Sequence, residues 1–351
     1  MSLPSSALEP PAAPSTARAS STDRWRQRKR PAWFQWIVPP LMWLVVVPLT
    51  KIFARRWPRG LSRRMTRFMG QFPKDCVLTE HDVLICAYFK SGTNWTMQIA
   101  TQIAYKGRAS YDHIHELVPW PDLPDRAGYS LPLGDDRPRA ACPTGLRVIK
   151  THVALGPVPY SAAARYVCVV RDPKDVFVSS YHFLRNGMLG PAMPSVQGWL
   201  DAYLSPDTAL GSWAEHLQSF WSVRERNNVL FLTYEQMRAD LAGTVDKVAA
   251  FMGVTLTADE RAAVVEQSTF AHMKSIGHKF DAPGTTGAMM RRGERGKSGE
   301  LIPAADQKRI DDYWRAELKR IGSDFPYDEA FGAPGQTTPA RTTISGTSSS
   351  S

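Results

Sequence analysis

The chain has 351 residues and a formal net charge of +10, with 43% hydrophobic and 22% charged residues, the composition of a globular protein rather than a disordered one. The charge is lopsided: residues 1–70 hold thirteen Lys and Arg against Glu9 and Asp23, a local +11, and the other 281 residues sum to −1. A folded body that is basic all over is excluded, so no nucleic-acid partner is expected.

Residues 1–22 are rich in Ser, Ala and Pro without periodicity, and a basic run, Arg24–Arg30, follows. Residues 1–30 therefore read as a disordered basic lead. Pro31–Thr50 then runs for 20 residues without a charge and carries Trp33, Trp36 and Trp43. That length spans about 30 Å as a helix, enough for a bilayer core. Pro39, Pro40 and Pro48 oppose a continuous helix. Basic residues from Lys51 to Arg67 flank the far side. Residues 31–70 are thus expected to form a hydrophobic and basic membrane-associating segment, monotopic in kind. Its contact, through residues 24–67, would be an anionic membrane surface. An apolar arm packed on the body or on a second subunit is the competing reading.

The body is expected over residues 71–332. Asp82–Phe89 is a short apolar run of strand formers, followed by a tight loop and helical character over Asn94–Tyr105. Residues 107–145 are rich in Pro, Gly and Asp and read as an irregular insertion. Leu146–Lys150 and Arg165–Val170 are strand candidates, and Asp172–Arg185 opens on Asp-Pro, a helix start signal. Helix is expected over Trp213–Arg226, strand over Val229–Thr233, and helix over Leu241–Met252, Asp259–Gln267 and Ala304–Ile321. Residues 333–351 read as a disordered tail. Short apolar strands alternating with helices predict an α/β fold, a single domain with a central parallel sheet flanked by helices.

Cys76, Cys86, Cys142 and Cys168 include no CxxC pair and no histidines at zinc-finger spacing. Cys86 and Cys168 read as buried thiols, which favours a reducing compartment; neither a structural zinc nor any other metal is expected. Two loops carry the chemistry. Tyr88–Trp95 offers backbone N–H groups at a helix N-terminus, two hydroxyls and Lys90, a design suited to phosphate. It is not a Walker A sequence, since the lysine comes first. Arg171, just after a strand and at a helix mouth, suits a phosphate fork. Ser179 lies two helical turns further on. Taken alone, Arg171 is better read as an ion pair with Asp172 or Asp175.

FKSGTNW at 89–95, KTH at 150–152, RDPKDVFVSSYHF at 171–183, TYEQM at 233–237, STFAHMK at 268–274 and MRRGERG at 290–296 occur in one order. Through them the chain resembles the cytosolic-type sulfotransferase family over roughly residues 73–328. The resemblance implies a P-loop-kinase-like sulfotransferase fold, a cytoplasmic location and the donor 3′-phosphoadenosine 5′-phosphosulfate (PAPS), with PAP as product. It implies that Lys90, Ser91, Gly92, Thr93 and Asn94 hold the 5′ phosphosulfate and that Trp95 stacks on the adenine. Arg171 and Ser179 would hold the 3′-phosphate, joined by Arg291, Arg292 and Gly293, while Tyr234, Thr269 and Phe270 complete the adenine pocket. His152 is the implied general base, with Lys90 and Lys150 offsetting charge on the leaving oxygen. A hydroxyl-bearing small molecule or lipid is the implied acceptor. Three departures stand out. Phe89 replaces the usual proline, Lys297-Ser298-Gly299 replaces an Asp-Trp-Lys run, and the C-terminal dimer motif is not evident. A P-loop-type nucleotide phosphotransferase and a non-catalytic, membrane-attached nucleotide-binding protein remain the alternative functions.

Overall fold

The structure, a computed structural model, describes residues 57–69, 72–123, 130–206, 208, 211–281, 299 and 301–332. The expected membrane run Pro31–Thr50, the tail, and Arg291, Arg292 and Gly293 lie outside the described residues.

Helix α1 is Trp57–Met69. Strand β1, Asp82–Ala87, leads into α2, Thr93–Ala104. Among its described residues, the insertion that follows holds the 3₁₀ turn Ile114–Glu116 and a five-residue helix, α3, Arg137–Ala141. Strands β2, Arg147–Thr151, and β3, Arg165–Val170, precede α4, Pro173–Phe183. Asp172 caps α4, its carboxylate accepting from the Lys174 N–H, with Pro173 in the first turn. The helix runs on into a π-helical segment, Leu184–Leu189. Then come α5, Val196–Tyr203, α6, Trp213–Trp221, and β4, Val229–Thr233. Helix α7 is Tyr234–Ala239 and α8 is Leu241–Met252. Helix α9 is Ala258–Gln267, α10 is Phe270–Ser275, α11 is Ala304–Arg320 and α12 is Tyr327–Phe331.

The four strands form one parallel sheet in the order β2-β1-β3-β4. Both faces are covered, so the strands read as apolar runs rather than alternating ones. Val83, Ile85 and Ala87 face a core shared with α2, α8 and α9. Leu84 and Cys86 face the opposite side, where α4, α5, α6, α11 and α12 build a second apolar mass around Trp213 and Trp314. Both of those indoles are fully buried.

All four cysteines are free thiols; Cys86, Cys142 and Cys168 are buried and Cys76 is half-buried. Cys86 and Cys168 are register partners on neighbouring strands. Among the described residues no helix is long and apolar enough to cross a membrane.

Candidate active site

The parallel arrangement brings the four strands to one carboxyl edge, where open α/β sheets bind ligands. The register pairs Cys86 with Thr151 and Cys168, and Val170 with Thr233, so the strands end nearly level. Each delivers one expected residue within three positions of its end: Lys90 after β1, His152 after β2, Arg171 after β3 and Tyr234 after β4.

The loop after β1 is tightly constrained. Lys90 has φ 67°, the left-handed region, at a cost of order 1–3 kcal/mol for a residue with a side chain. Its carbonyl accepts from Arg171 Nη1 at 3.2 Å, which ties the β1 and β3 loops together. Gly92 has φ 99°, and an added Cβ would lie 2.7 Å from Tyr234 Cδ2. Only glycine satisfies both the dihedral and the close ring. Helix α2 begins at Thr93 with no side-chain cap, so its first N–H groups face outward unclaimed by the helix.

Several buried polar atoms here have no hydrogen-bond partner: Ser91 Oγ, Thr93 Oγ1 and Arg171 Nε. Orphaned donors beside an uncapped helix N-terminus fit a multiply charged anion. Arg171 also lies 3.6 Å from Asp175 and places its guanidinium 4.4 Å from the Tyr234 ring centroid. The expected ion pair with Asp175 and an open guanidinium edge therefore coexist. Ser179 is half-buried on α4.

Trp95 donates from Nε1 to the Ser268 carbonyl at 2.7 Å and meets Tyr234 edge-on at 5.5 Å. That bond brings the start of α10 beside α2. Thr269 caps α10, accepting from the His272 N–H at 3.2 Å and donating to the Glu266 carbonyl at 2.9 Å. Phe270, next to it, is a large apolar side chain left 41% exposed. Trp95 and Tyr234 are thus in contact, and Thr269 and Phe270 directly follow the Ser268 to which Trp95 is bonded. Asn94 is half-buried on the first turn of α2.

The two lysines sit in aromatic surroundings. Lys90 Nζ lies 4.3 Å from the Phe183 ring centroid and 5.9 Å from that of Phe89. Lys150 Nζ lies 3.4 Å from the Trp120 centroid. Burial, then the Arg171 charge, pushes Lys90 down to about 7. Burial pushes Lys150 to about 7 as well, with Asp122 opposing and Lys90 reinforcing the shift. Two nearby cations held half-neutral are poised to charge when an anion arrives.

His152 is buried, and its Nδ1 lies 2.7 Å from the Ala87 carbonyl. A carbonyl only accepts, so Nδ1 bears the hydrogen and Nε2 keeps its lone pair. Burial and the Lys150 charge hold the ring's pKa well below its usual value, leaving a neutral imidazole. Phe89 meets this ring edge-on at 6.1 Å and Phe183 at 5.5 Å. The phenylalanine standing in the family's proline position therefore builds part of the wall between base and lysine.

Four further residues escaped the sequence reading. Asp122 accepts from the His152 N–H at 2.6 Å, from Thr151 Oγ1 at 2.7 Å and from Trp120 Nε1 at 3.1 Å. Trp120 is held beside β2 by the Lys150 N–H donating to the Pro119 carbonyl at 2.9 Å. Both belong to an insertion without periodicity, and their only signal is an aromatic and an acid two positions apart. Glu235 accepts from the Asp172 N–H at 3.3 Å, and burial pushes its carboxyl up to about 7. It can therefore be neutral beside an anion. His216 is buried under Tyr88, with its pKa driven down to about 3 by burial. No cluster of His, Cys, Asp or Glu that could hold a metal occurs among the described residues.

Strand ends that converge on an anion cradle, with a neutral histidine beside two lysines, define an enzyme that transfers an anionic group. The sulfotransferase domain family matches residues 80–322, well over half the chain, and the chain belongs to it; it is a PAPS-dependent sulfotransferase. It is 29% identical to Sulfotransferase 1C2 of Oryctolagus cuniculus over 260 residues, covering 70% of this chain and 85% of that one. It is 33% identical to Sulfotransferase 2A6 of Mus musculus over 204 residues, covering 56% and 68%. Among solved structures, a mouse sulfotransferase complexed with PAP aligns with a TM-score of 0.54 at 23% identity, over 74% of this chain and 94% of that one. A retinol dehydratase in complex with androsterone and PAP aligns with a TM-score of 0.55 at 22% identity, over 76% and 86%. These two likenesses show the fold.

Proposed function

We propose that the chain moves the sulfuryl group of PAPS onto an acceptor hydroxyl by in-line displacement, with His152 as general base and a lipophilic alcohol or glycolipid as acceptor. The observation that carries this reading is the His152 tautomer: the Ala87 carbonyl claims Nδ1–H, so Nε2 can take the hydroxyl proton as that oxygen attacks sulfur. PAPS supplies the activated sulfuryl group and a phosphate leaving group. Lys90, helped by Lys150, offsets the charge that grows on the departing oxygen. Ser91, Gly92, Thr93 and Asn94 hold the 5′ end through hydroxyls and helix N–H groups. Arg171 and Ser179 hold the 3′-phosphate, joined by Arg291, Arg292 and Gly293. Trp95, Tyr234 and Phe270 pack on the adenine, with Thr269 fixing the turn that presents Phe270.

The acceptor class rests on two supports. A structural relative is described with androsterone, and another form of it with retinol. The uncharged run Pro31–Thr50 and its basic flanks bring the enzyme to an anionic membrane surface, where amphiphilic alcohols collect. Incubating the full chain with labelled PAPS and lipid extracts, then reading products by mass spectrometry, tests this. A sulfate ester of a sterol, lipid alcohol or glycolipid is expected. Sulfation of polar acceptors alone would sink the acceptor class, and phosphate esters formed from ATP would sink the reaction.

A further inference from the structure

Among the described residues β2 is an edge strand, and an open strand edge presents N–H groups that need acceptors. Two of them, two residues apart, are met by the insertion after α2. The Lys150 N–H donates to the Pro119 carbonyl at 2.9 Å, and the His152 N–H donates to Asp122 Oδ2 at 2.6 Å. One short segment, Pro119–Asp122, therefore fixes the backbone of both the base and the lysine two positions before it.

Asp122 does more than close that edge. It is 1% exposed, and a carboxylate taken that far from water is held there only by hydrogen bonds or a partner charge. Its Oδ1 accepts from the Thr151 hydroxyl at 2.7 Å, and its Oδ2 also takes the Trp120 indole N–H at 3.1 Å. Every one of these donors leads to the site. Thr151 precedes the base, and its hydroxyl accepts from the Val153 N–H at 3.0 Å, so the chain is gripped on both sides of His152. Trp120 meets the His152 ring edge-on at 5.7 Å and offers its face to Lys150 Nζ at 3.4 Å, a cation–π contact. The charged or titratable groups around the carboxylate are Lys150, His152 and, through Trp120, His115, which stacks on that indole at 5.4 Å. A shift of this one side chain would move the base and the lysine together.

We propose that Asp122 is a positioning residue for sulfuryl transfer, holding the His152 imidazole and the Lys150 platform in one fixed relation through its three hydrogen bonds. This rests on the reading of His152 as general base. It adds the group that fixes where Nε2 lies: the Ala87 carbonyl orients the ring, and Asp122 anchors the backbone that carries it. The bonds rather than the charge perform this role, since an amide oxygen in the same place can still accept from the His152 and Trp120 N–H groups.

The test compares three variants by kcat per folded molecule, by the Kd for 3′,5′-adenosine bisphosphate and by thermal unfolding. Asp122→Ala removes all three bonds. It should lower kcat about 10²-fold, the scale of a small misplacement of a catalytic group, with the bisphosphate Kd within about twofold. Asp122→Asn keeps the acceptor for both N–H groups and turns its amide toward the Thr151 oxygen, which can accept. It should recover at least about tenfold of the loss seen in Asp122→Ala. Thr151→Val removes one of the three bonds at nearly constant volume and should lower kcat less than Asp122→Ala does, again without moving the bisphosphate Kd. Should Asp122→Ala not fold, Thr151→Val and Asp122→Asn decide by the same readings, the first slowed and the second close to the wild type.

Unchanged kcat in folded Asp122→Ala or Thr151→Val overturns the proposal. Equal losses of kcat and bisphosphate affinity overturn it too, because a merely structural role would move both. A kcat in Asp122→Asn as low as in Asp122→Ala would assign the effect to charge and overturn it as well. His152→Ala, measured alongside, separates this from the base reading: lost turnover there with active Asp122 variants sinks the positioning role alone, and retained turnover there sinks both.

Discussion

At the scale of single residues, two lysines near 7 make a prediction about protons. At about pH 8 both are mostly neutral in the ligand-free protein, and a bound phosphate-bearing anion raises them. Binding of 3′,5′-adenosine bisphosphate therefore takes up protons, and its affinity weakens as pH rises above about 7. Calorimetry in buffers of different ionisation enthalpy reads the uptake; no uptake would remove the lysines from the donor site. His152→Ala should cut turnover by about 10²–10⁴ while bisphosphate binding holds, and lost binding would contradict the base assignment. Lys90, His152, Arg171 and Tyr234 were legible because each follows a short apolar strand inside a recurring motif. Asp122 and Trp120 were not. Their partners, Thr151 and His152, lie about thirty positions away, and nothing local in 107–145 marks which of its acids turns inward.

At the scale of elements, the loop between β1 and α2 is the part least tolerant of change. Gly92→Ala meets both the positive φ and the Tyr234 ring. It should weaken bisphosphate binding at least about tenfold and lower stability by roughly 1–3 kcal/mol, read by calorimetry and thermal unfolding. A variant with wild-type affinity would show that the Tyr234 ring yields freely. Arg171→Ala should weaken donor binding first, because the guanidinium both faces the cradle and ties the Lys90 carbonyl; an effect confined to kcat would refute that. The four strands were placed to within two residues by their apolar runs. Helix ends were read less well: α6 stops at Trp221 rather than Arg226, and α4 passes into the π-helical Leu184–Leu189. Neither boundary carries a Gly or Pro stop inside the helix. Helices α5, α7, α10 and α12 are eight residues or fewer, too short for periodicity to stand out.

At the scale of the whole molecule, apolar clusters cover both faces of one thin sheet. The parallel, doubly covered architecture was legible from the alternation of strands and helices. The place of α1 was not, because its arginines belong to the basic run Lys51–Arg67 that flanks the uncharged segment. The core built by α4, α5, α6, α11 and α12 hangs on Trp213 and Trp314, whose rings meet at 5.7 Å. Trp213→Ala should cost about 3–5 kcal/mol, seen as a lower urea midpoint; a loss under about 1 kcal/mol would mean that the core collapses into the gap.

The neighbouring thiols of Cys86 and Cys168 lie within strands of that sheet, out of reach of solvent, and Cys142, at the end of α3, is buried too. A thiol reagent added to the native enzyme should therefore meet one responsive sulfur, Cys76, at once. The other three should label only as fast as the interior opens. The cysteines thus form a built-in clock for breathing of the sheet, and a bound donor that ties the β1 and β3 loops together should slow it.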